Sequence, residues 1–193
     1  MVPLALQRDE RFTYGDYLTW DDGERWELID GVPYSMSPAP GVAHQRILGR
    51  VHFQLFSFLR DKPCQVFLAP FDVRLPEADE SDELVETVVQ PDLVIICDQS
   101  KLDQRGCRGA PDLVVEILSS STAHHDLKVK FARYERAGVR EYWIIDPLGK
   151  TTQVFSIASG GGYGRPQVYG CGDMAPVGVI PGLMIDLAEI FAE

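Results

Sequence analysis

Long hydrophobic runs are missing from this chain. Nowhere in its 193 residues is there a stretch of about 18 apolar residues, the length that a membrane-spanning helix needs. Met1–Arg11 carries Gln7, Arg8, Asp9 and Glu10 where a secretory leader requires an uninterrupted apolar core, so a soluble, cytoplasmic protein is expected. Cysteine is scarce: Cys64, Cys97, Cys107 and Cys171 stand alone, without a Cys-x-x-Cys pair. That excludes a zinc knuckle by spacing and gives no sign of a disulfide framework, so four buried or reduced thiols are expected. Positive charge is short as well, with 18 Lys and Arg against 29 Asp and Glu and a net charge of −11. Nonspecific coating of nucleic acid, which relies on cations neutralising phosphates, does not suit such a chain. The glycine-rich Gly160–Gly164 lacks the Lys-Ser/Thr of a phosphate-cradling loop and reads as a turn.

What is present is enough apolar residue, 45% of the chain, to bury one substantial core, and residues 1–193 are expected to form a single domain. The charge is unevenly placed. Asp72 to Asp98 holds nine acids and one base, whereas Lys101 to Lys150 holds nine bases and seven acids. A phosphate-facing surface is therefore expected to draw on the second segment.

Periodicity gives the outline. Thr13 can cap a short helix over Tyr14–Trp20. Trp26–Ile29 and Val32–Met36 flank Asp30–Gly31, a dipeptide that accepts the positive φ angles of a tight hairpin turn. His44, Leu48, Val51, Leu55 and Phe58–Leu59 recur at helical spacing to about Arg60. Three β-branched runs follow, Gln65–Leu75, Val88–Cys97 and Ala110–Leu118, separated by the loops Pro76–Glu86 and Gln99–Gly109, and they are expected to pair in one sheet. Ser119–Thr122 supplies possible caps for a helix through Leu127, Phe131 and Tyr134 that Gly138 closes. Glu141–Asp146 and Gln153–Ile157 read as strands and Leu187–Phe191 as a short terminal helix. Pro-Asp-Leu-Val occurs at Pro91 and again at Pro111, but the flanks do not repeat, so no solenoid is indicated.

Two carboxylates interrupt these strands. Asp92 shares a face with Val94 and Ile96; Glu116 lies mid-run in a segment apolar on both faces, as in a central strand. A buried carboxylate needs a cation or a metal. One reading is a structural salt bridge from Glu116 to Arg133 or Arg140. The other draws on the next helix, where Asp126, Lys130 and Tyr134 at i, i+4 and i+8 share a face that can fold Lys130 over Glu116, while Lys128 points elsewhere. Two carboxylates and an ammonium suit phosphodiester hydrolysis: oxygens for Mg²⁺ or Mn²⁺, an activated water, and positive charge for the transition state. Glu27 could add a carboxylate or be an exposed strand acid. His44, on the apolar stripe of its helix, could orient a water or be a structural histidine. His124 and His125 could cap the helix or meet phosphate, but adjacent helical histidines do not share a metal.

Taken in order, Trp26-Glu-Leu-Ile-Asp-Gly31, Ser37-Pro with His44 opening a helix, Gln90-Pro-Asp-Leu-Val94 and Pro111-Asp-Leu-Val-Val-Glu-Ile-Leu-Ser119 form a specific pattern. With Asp126, Lys130, Tyr134, Ala137-Gly-Val and Glu141-Tyr-Trp-Ile-Ile-Asp-Pro147, it resembles the Uma-two family from about Tyr14 to Phe191. This is a bacterial group within the PD-(D/E)XK nuclease superfamily. The resemblance implies a restriction-endonuclease-like α/β (α+β) fold, a mixed central sheet flanked by helices with an N-terminal hairpin. It further implies Asp92 and Glu116 as metal ligands and a metal-dependent endonuclease acting on DNA, expected as a homodimer. The superfamily's third residue usually lies two positions after the second acid, which here is Leu118; the resemblance puts the lysine on the helix instead, at Lys130. The alternatives are a noncatalytic interaction module on the same fold and a phosphodiesterase for a small nucleotide.

Overall fold

The computed structural model describes residues 10–36, 39–119 and 124–192. In chain order the elements are α1 (Tyr14–Tyr17), the hairpin β1 (Trp26–Ile29) and β2 (Val32–Ser35), α2 (Val42–Leu59), β3 (Gln65–Leu68), β4 (Val73–Arg74), β5 (Val88–Val89), β6 (Leu93–Ile96), β7 (Leu102–Asp103), β8 (Gly106–Arg108) and β9 (Leu113–Ile117). A π-helical turn, His125–Lys130, runs into α3 (Phe131–Ala137), followed by β10 (Glu141–Asp146), β11 (Thr151–Ser156), β12 (Gln167–Gly170), β13 (Met174–Pro176), β14 (Met184–Asp186) and α4 (Leu187–Ile190).

Local chemistry accounts for several boundaries. The Thr13 side chain accepts from the Asp16 amide while the Asp16 carboxylate accepts from the Thr13 amide, a reciprocal cap that starts α1. Asp30 and Gly31 turn the first hairpin with φ of 50° and 73°. Gly138, at φ 83°, ends α3 in the left-handed region. The expected cap cluster at Ser119–Thr122 lies mostly outside the described residues, as do Ser37 and Pro38.

The expectation of one sheet is corrected: twelve strands divide between two six-stranded sheets, ordered β2-β1-β5-β4-β8-β7 and β12-β11-β10-β9-β6-β3, and β13 and β14 form a separate antiparallel pair. Both long runs are broken at a proline. Gln65–Leu75 becomes β3 and β4 around Ala69–Pro70, and Val88–Cys97 becomes β5 and β6 around Gln90–Pro91, with each half in a different sheet. Proline has no amide hydrogen to extend a ladder, so pairing stops there and the chain steps across. The supposed loop Gln99–Gly109 contains the β7–β8 hairpin. Gly106 is obligatory in it, because a Cβ at that position would stand 2.2 Å from the Asp72 carbonyl oxygen.

Alternation along the second sheet builds two cores. Leu93, Ile95, Leu113, Val115, Ile117, Trp143 and Ile145 pack beneath Ile47, Leu48, Val51 and Leu55 of α2 and against the C-terminal β13–α4 segment. Val94, Ile96, Val114, Tyr142 and Ile144 face the other way, onto Tyr134 and Val139 and onto Val73, Val89 and Cys107 of the first sheet. β9 and β10 run parallel, with Glu116 opposite Ile144 and α3 between them in sequence.

A second correction concerns the cysteines. Cys64 and Cys97 form a disulfide just beyond the Gln65–Ile96 pair of the β3–β6 ladder; Cys107 is buried and free, Cys171 exposed and free. Strand pairing brings together two residues that chain spacing does not relate. Among the described residues no helix is long and apolar enough to cross a membrane.

Candidate active site

Glu116 points from β9 toward α3 and is buried. The π turn brings Asp126 and Lys130 inward together, both buried, while Lys128 stays exposed; such turns are frequent at functional sites. Lys130 Nζ lies 2.9 Å from Glu116 Oε1, 2.8 Å from Glu27 Oε1 and 3.7 Å from Asp126 Oδ1. One helical turn on, the Tyr134 hydroxyl donates to Glu116 Oε1 at 2.9 Å, and the Tyr142 hydroxyl donates to the Asp126 carbonyl at 3.2 Å. The partners Arg133 and Arg140 considered for Glu116 are engaged elsewhere, Arg133 with Glu77 and Arg140 with Asp112.

Asp92 stands just ahead of β6, at the step between the sheets. Its Oδ2 accepts from the Ile117 amide at 2.8 Å and meets His44 Nε2 at 3.0 Å. Its own amide donates to Glu116 Oε2 at 3.3 Å, which ties the two acids together through the backbone. His44 is buried, and its Nδ1 has no hydrogen-bond partner among the described residues. These groups open onto a cavity of about 500 Å³ lined by Arg25, His44, Asp92, Glu116, Asp126 and Lys130, among others.

Glu27 is not an exposed strand acid. It is 3% exposed, accepts the Gln90 amide at 2.8 Å, and shares Lys130 with Glu116. His125 Nε2 is 3.4 Å from Glu27 Oε2, and its ring packs on Tyr34. Two further members are not foreseen from the sequence. Arg25 holds the Gln90 side-chain oxygen at the cavity wall, and the Ile117 amide fixes Asp92. The first could have been suspected from its place beside Trp26 and Glu27. A backbone donor has no sequence signature. Leu118 packs with the second core, so the position two beyond Glu116 is apolar and the ammonium arrives from the helix.

Burial raises Glu27, but the Lys130 ammonium, the neighbouring His125, the Lys130 hydrogen bond and that of the Gln90 amide bring it down to about 2. Burial is also the largest influence on Glu116; Lys130 pulls it down, the charges of Asp126, Asp92 and Glu27 push it up, and it stays well above the usual carboxylate value. For Lys130 burial lowers, yet Glu116, Glu27 and Asp126 raise it well above the usual lysine value, so the side chain is an ammonium.

A hard divalent cation fits the donor set. Three carboxylates, Glu27, Glu116 and Asp126, surround one ammonium and Asp92 stands beside them; among the described residues Asp92 Oδ1 accepts no hydrogen bond and Glu116 Oε2 has only the long one from the Asp92 amide. Among the described residues no group of three or more His, Cys, Asp and Glu is arranged so that it could hold an ion by itself. Two carboxylates suffice for an ion such as Mg²⁺ that retains several waters.

The fold has a counterpart in a solved structure described as a "putative nuclease belonging to DUF820" from Anabaena variabilis ATCC 29413. It matches with a TM-score of 0.73 at 18% identity, over 93% of this chain and 97% of that chain. The shared class is a mixed α+β, restriction-endonuclease-like fold. The family model Uma2, described as "Putative restriction endonuclease", matches residues 14–188, and the chain belongs to this Uma-two family. No curated protein matches the chain.

Proposed function

We propose that the protein is a metal-dependent endonuclease that hydrolyses phosphodiester bonds in DNA, with Asp92, Glu116 and Lys130 as its catalytic residues. The observation that carries this reading is the Glu116–Lys130 pair on the wall of a cavity that Asp92 also lines. Asp92 and Glu116 would hold Mg²⁺ or Mn²⁺. When bound, the ion would polarise a phosphate and lower the pKa of an attacking water.

The chain's own groups have distinct tasks. The Ile117 amide and His44 aim Asp92. Tyr134 and Lys130 both donate to Glu116 Oε1, so its carboxyl stays in place with Oε2 turned toward Asp92. Lys130 adds fixed positive charge in a water-poor wall, where charge acts more strongly than in water. Glu27 and Asp126 position the ammonium. A cavity of this volume accommodates a nucleotide-sized group. Cleavage of both strands would call for a homodimer, and DNA as substrate for a cytoplasmic enzyme.

Purified protein incubated with supercoiled plasmid is expected to nick it with Mg²⁺ or Mn²⁺ and not with EDTA. Asp92→Ala and Glu116→Ala, shown to be folded, should each cut the rate by about 100-fold or more. Equal cleavage by wild type and both variants would sink the assignment. The enclosure of Lys130 by three carboxylates favours a second reading, a closed ion cluster in a noncatalytic module. That module would bind DNA equally with metal or EDTA and never cut it. A small-nucleotide phosphodiesterase would instead turn over cyclic or linear dinucleotides while sparing the plasmid.

A further inference from the structure

A second hollow, of about 150 Å³, lies on the neighbouring face of α2 and is lined by Ala43, Arg46, Ile47, Arg50 and Lys150 with the C-terminal Ile190–Ala192. Three cations converge there in a protein of net charge −11. Their roles divide by partner. The Arg50 guanidinium donates to the carbonyls of Ile190 and Ala192 and so braces the wall. Arg46 and Lys150 are exposed, and neither has an acid partner among the described residues.

The hollow adjoins the candidate active site through α2. His44, Gln45 and Leu48 line the cavity with Asp92 and Glu116, whereas Ala43, Arg46 and Ile47 line the hollow. The second wall has the same relation: β9 and β10 are parallel, so the segment after Glu116 and the Pro147–Lys150 turn after β10 leave the same end of the sheet. α2 contains no carboxylate in its 18 residues. Its outer surface exposes Phe53 and Phe56, and His52 stacks on Phe56 at 5.6 Å. A helix with cations, aromatics and no acids is an unlike surface on an acidic molecule.

We infer that Arg46 and Lys150 bind the phosphate backbone and seat a DNA strand on α2 as it leaves the catalytic cavity. The inference rests on DNA being the substrate, and deepens that reading by naming where the strand runs. Phosphate binding of this kind positions the strand without reading its sequence, and its affinity falls with salt.

The test is binding of a fluorescein-labelled random-sequence 20-mer, single-stranded and duplex, in EDTA, measured by anisotropy from about 50 to 200 mM salt. Wild type is expected to bind with salt-dependent affinity. Arg46→Glu/Lys150→Glu should weaken binding at least tenfold and flatten the salt slope by about one for each phosphate left without its cation. Arg46→Lys should retain most of the affinity, and Arg165→Glu, an exposed reversal at a residue that does not line the hollow, should leave it unchanged. Wild-type affinity in the double variant, equal weakening by Arg165→Glu, or no binding by wild type at low salt would each overturn the inference. Because binding is read without metal, loss of affinity in the double variant alongside absence of cleavage under every metal would keep the strand path and remove the nuclease reading.

Discussion

Glu27 and Glu116 share one ammonium, at 2.8 and 2.9 Å, yet their acidities separate. Glu27 is brought down to about 2 from an ordinary 4.5, so its ionised form stabilises the fold. That contribution is present above 4.5 and is lost as pH falls toward 2. Glu27→Gln should therefore cost about 3 kcal/mol at pH 7, by urea denaturation, and the gap to wild type should close as the pH drops below 4.5. Glu116 has the reverse sign. Its raised pKa means that the protonated form is the favoured one, so its contribution is present below 4.5 and is lost as pH rises through the folded value. Glu116→Gln should raise the urea midpoint at pH 8 and change it little at pH 4; a loss at pH 8 matching that of Glu27→Gln would contradict this account. The difference explains what could be read in advance. The spacing of Asp126, Lys130 and Tyr134 is local, and helix geometry alone puts them on one side. Glu27 is buried by Gln90, 63 residues away, and by Lys130, and nothing in its neighbourhood along the chain announces either.

At the scale of elements, the two Pro-Asp-Leu-Val segments are antiparallel neighbours. β6 pairs with β9 in the register Leu93–Val115, Val94–Val114 and Ile95–Leu113. Each aspartate clamps the far end of the other strand: Asp92 Oδ2 accepts from the Ile117 amide and Asp112 Oδ2 from the Cys97 amide, both at 2.8 Å. The repeat is thus a local two-fold clamp, of which the Asp92 end alone opens on the cavity lined by Glu116. Loss of either clamp removes a hydrogen bond to a charged acceptor, about 1.5–3 kcal/mol. Asp112→Ala should lose at least that much stability in urea and keep plasmid nicking within about twofold, since it removes the strand clamp and the Arg140 ion pair but no group that lines the cavity. Asp92→Ala should lose comparable stability and also its nicking. Parallel loss of nicking in both variants would show that the clamp rather than the carboxylate matters. Alternation expects Asp92 on the face of Val94 and Ile96, but Asp92 lies just ahead of β6 and its carboxylate meets His44 of α2, the helix that packs over Leu93 and Ile95. The division of the two long runs between sheets was not legible as such, because Pro70 and Pro91 end a ladder without saying where the chain goes next; that destination depends on β4, β5 and β8 packing as a separate layer.

Over the whole molecule, part of the acidic stretch serves buried cations. Asp82, with Asp103 from the following segment, flanks the buried Arg74, and Glu77 meets the buried Arg133. Net charge therefore describes the surface around α2 poorly. The Cys64–Cys97 bond acts at the same scale, because its 33-residue separation encloses both steps between the sheets, Ala69–Pro70 and Gln90–Pro91. Closing a loop of that length restricts the unfolded chain by about 4 kcal/mol on the chain-entropy estimate. Protein purified without reductant should thus show two titratable thiols when denatured and one, the exposed Cys171, when native. Cys107 stays silent in the native protein because it is buried, and burial pushes its thiol up to about 11. Dithiothreitol should lower the urea midpoint of wild type and not that of Cys64→Ser/Cys97→Ser, which should start at the reduced value. Four thiols in the denatured, unreduced protein, or a midpoint indifferent to reductant, would restore the picture of four independent cysteines that spacing alone suggests. Their pairing escapes the sequence because it follows from the antiparallel register of β3 and β6, which sets Gln65 opposite Ile96 and carries the two sulfur atoms to the same rung beyond it.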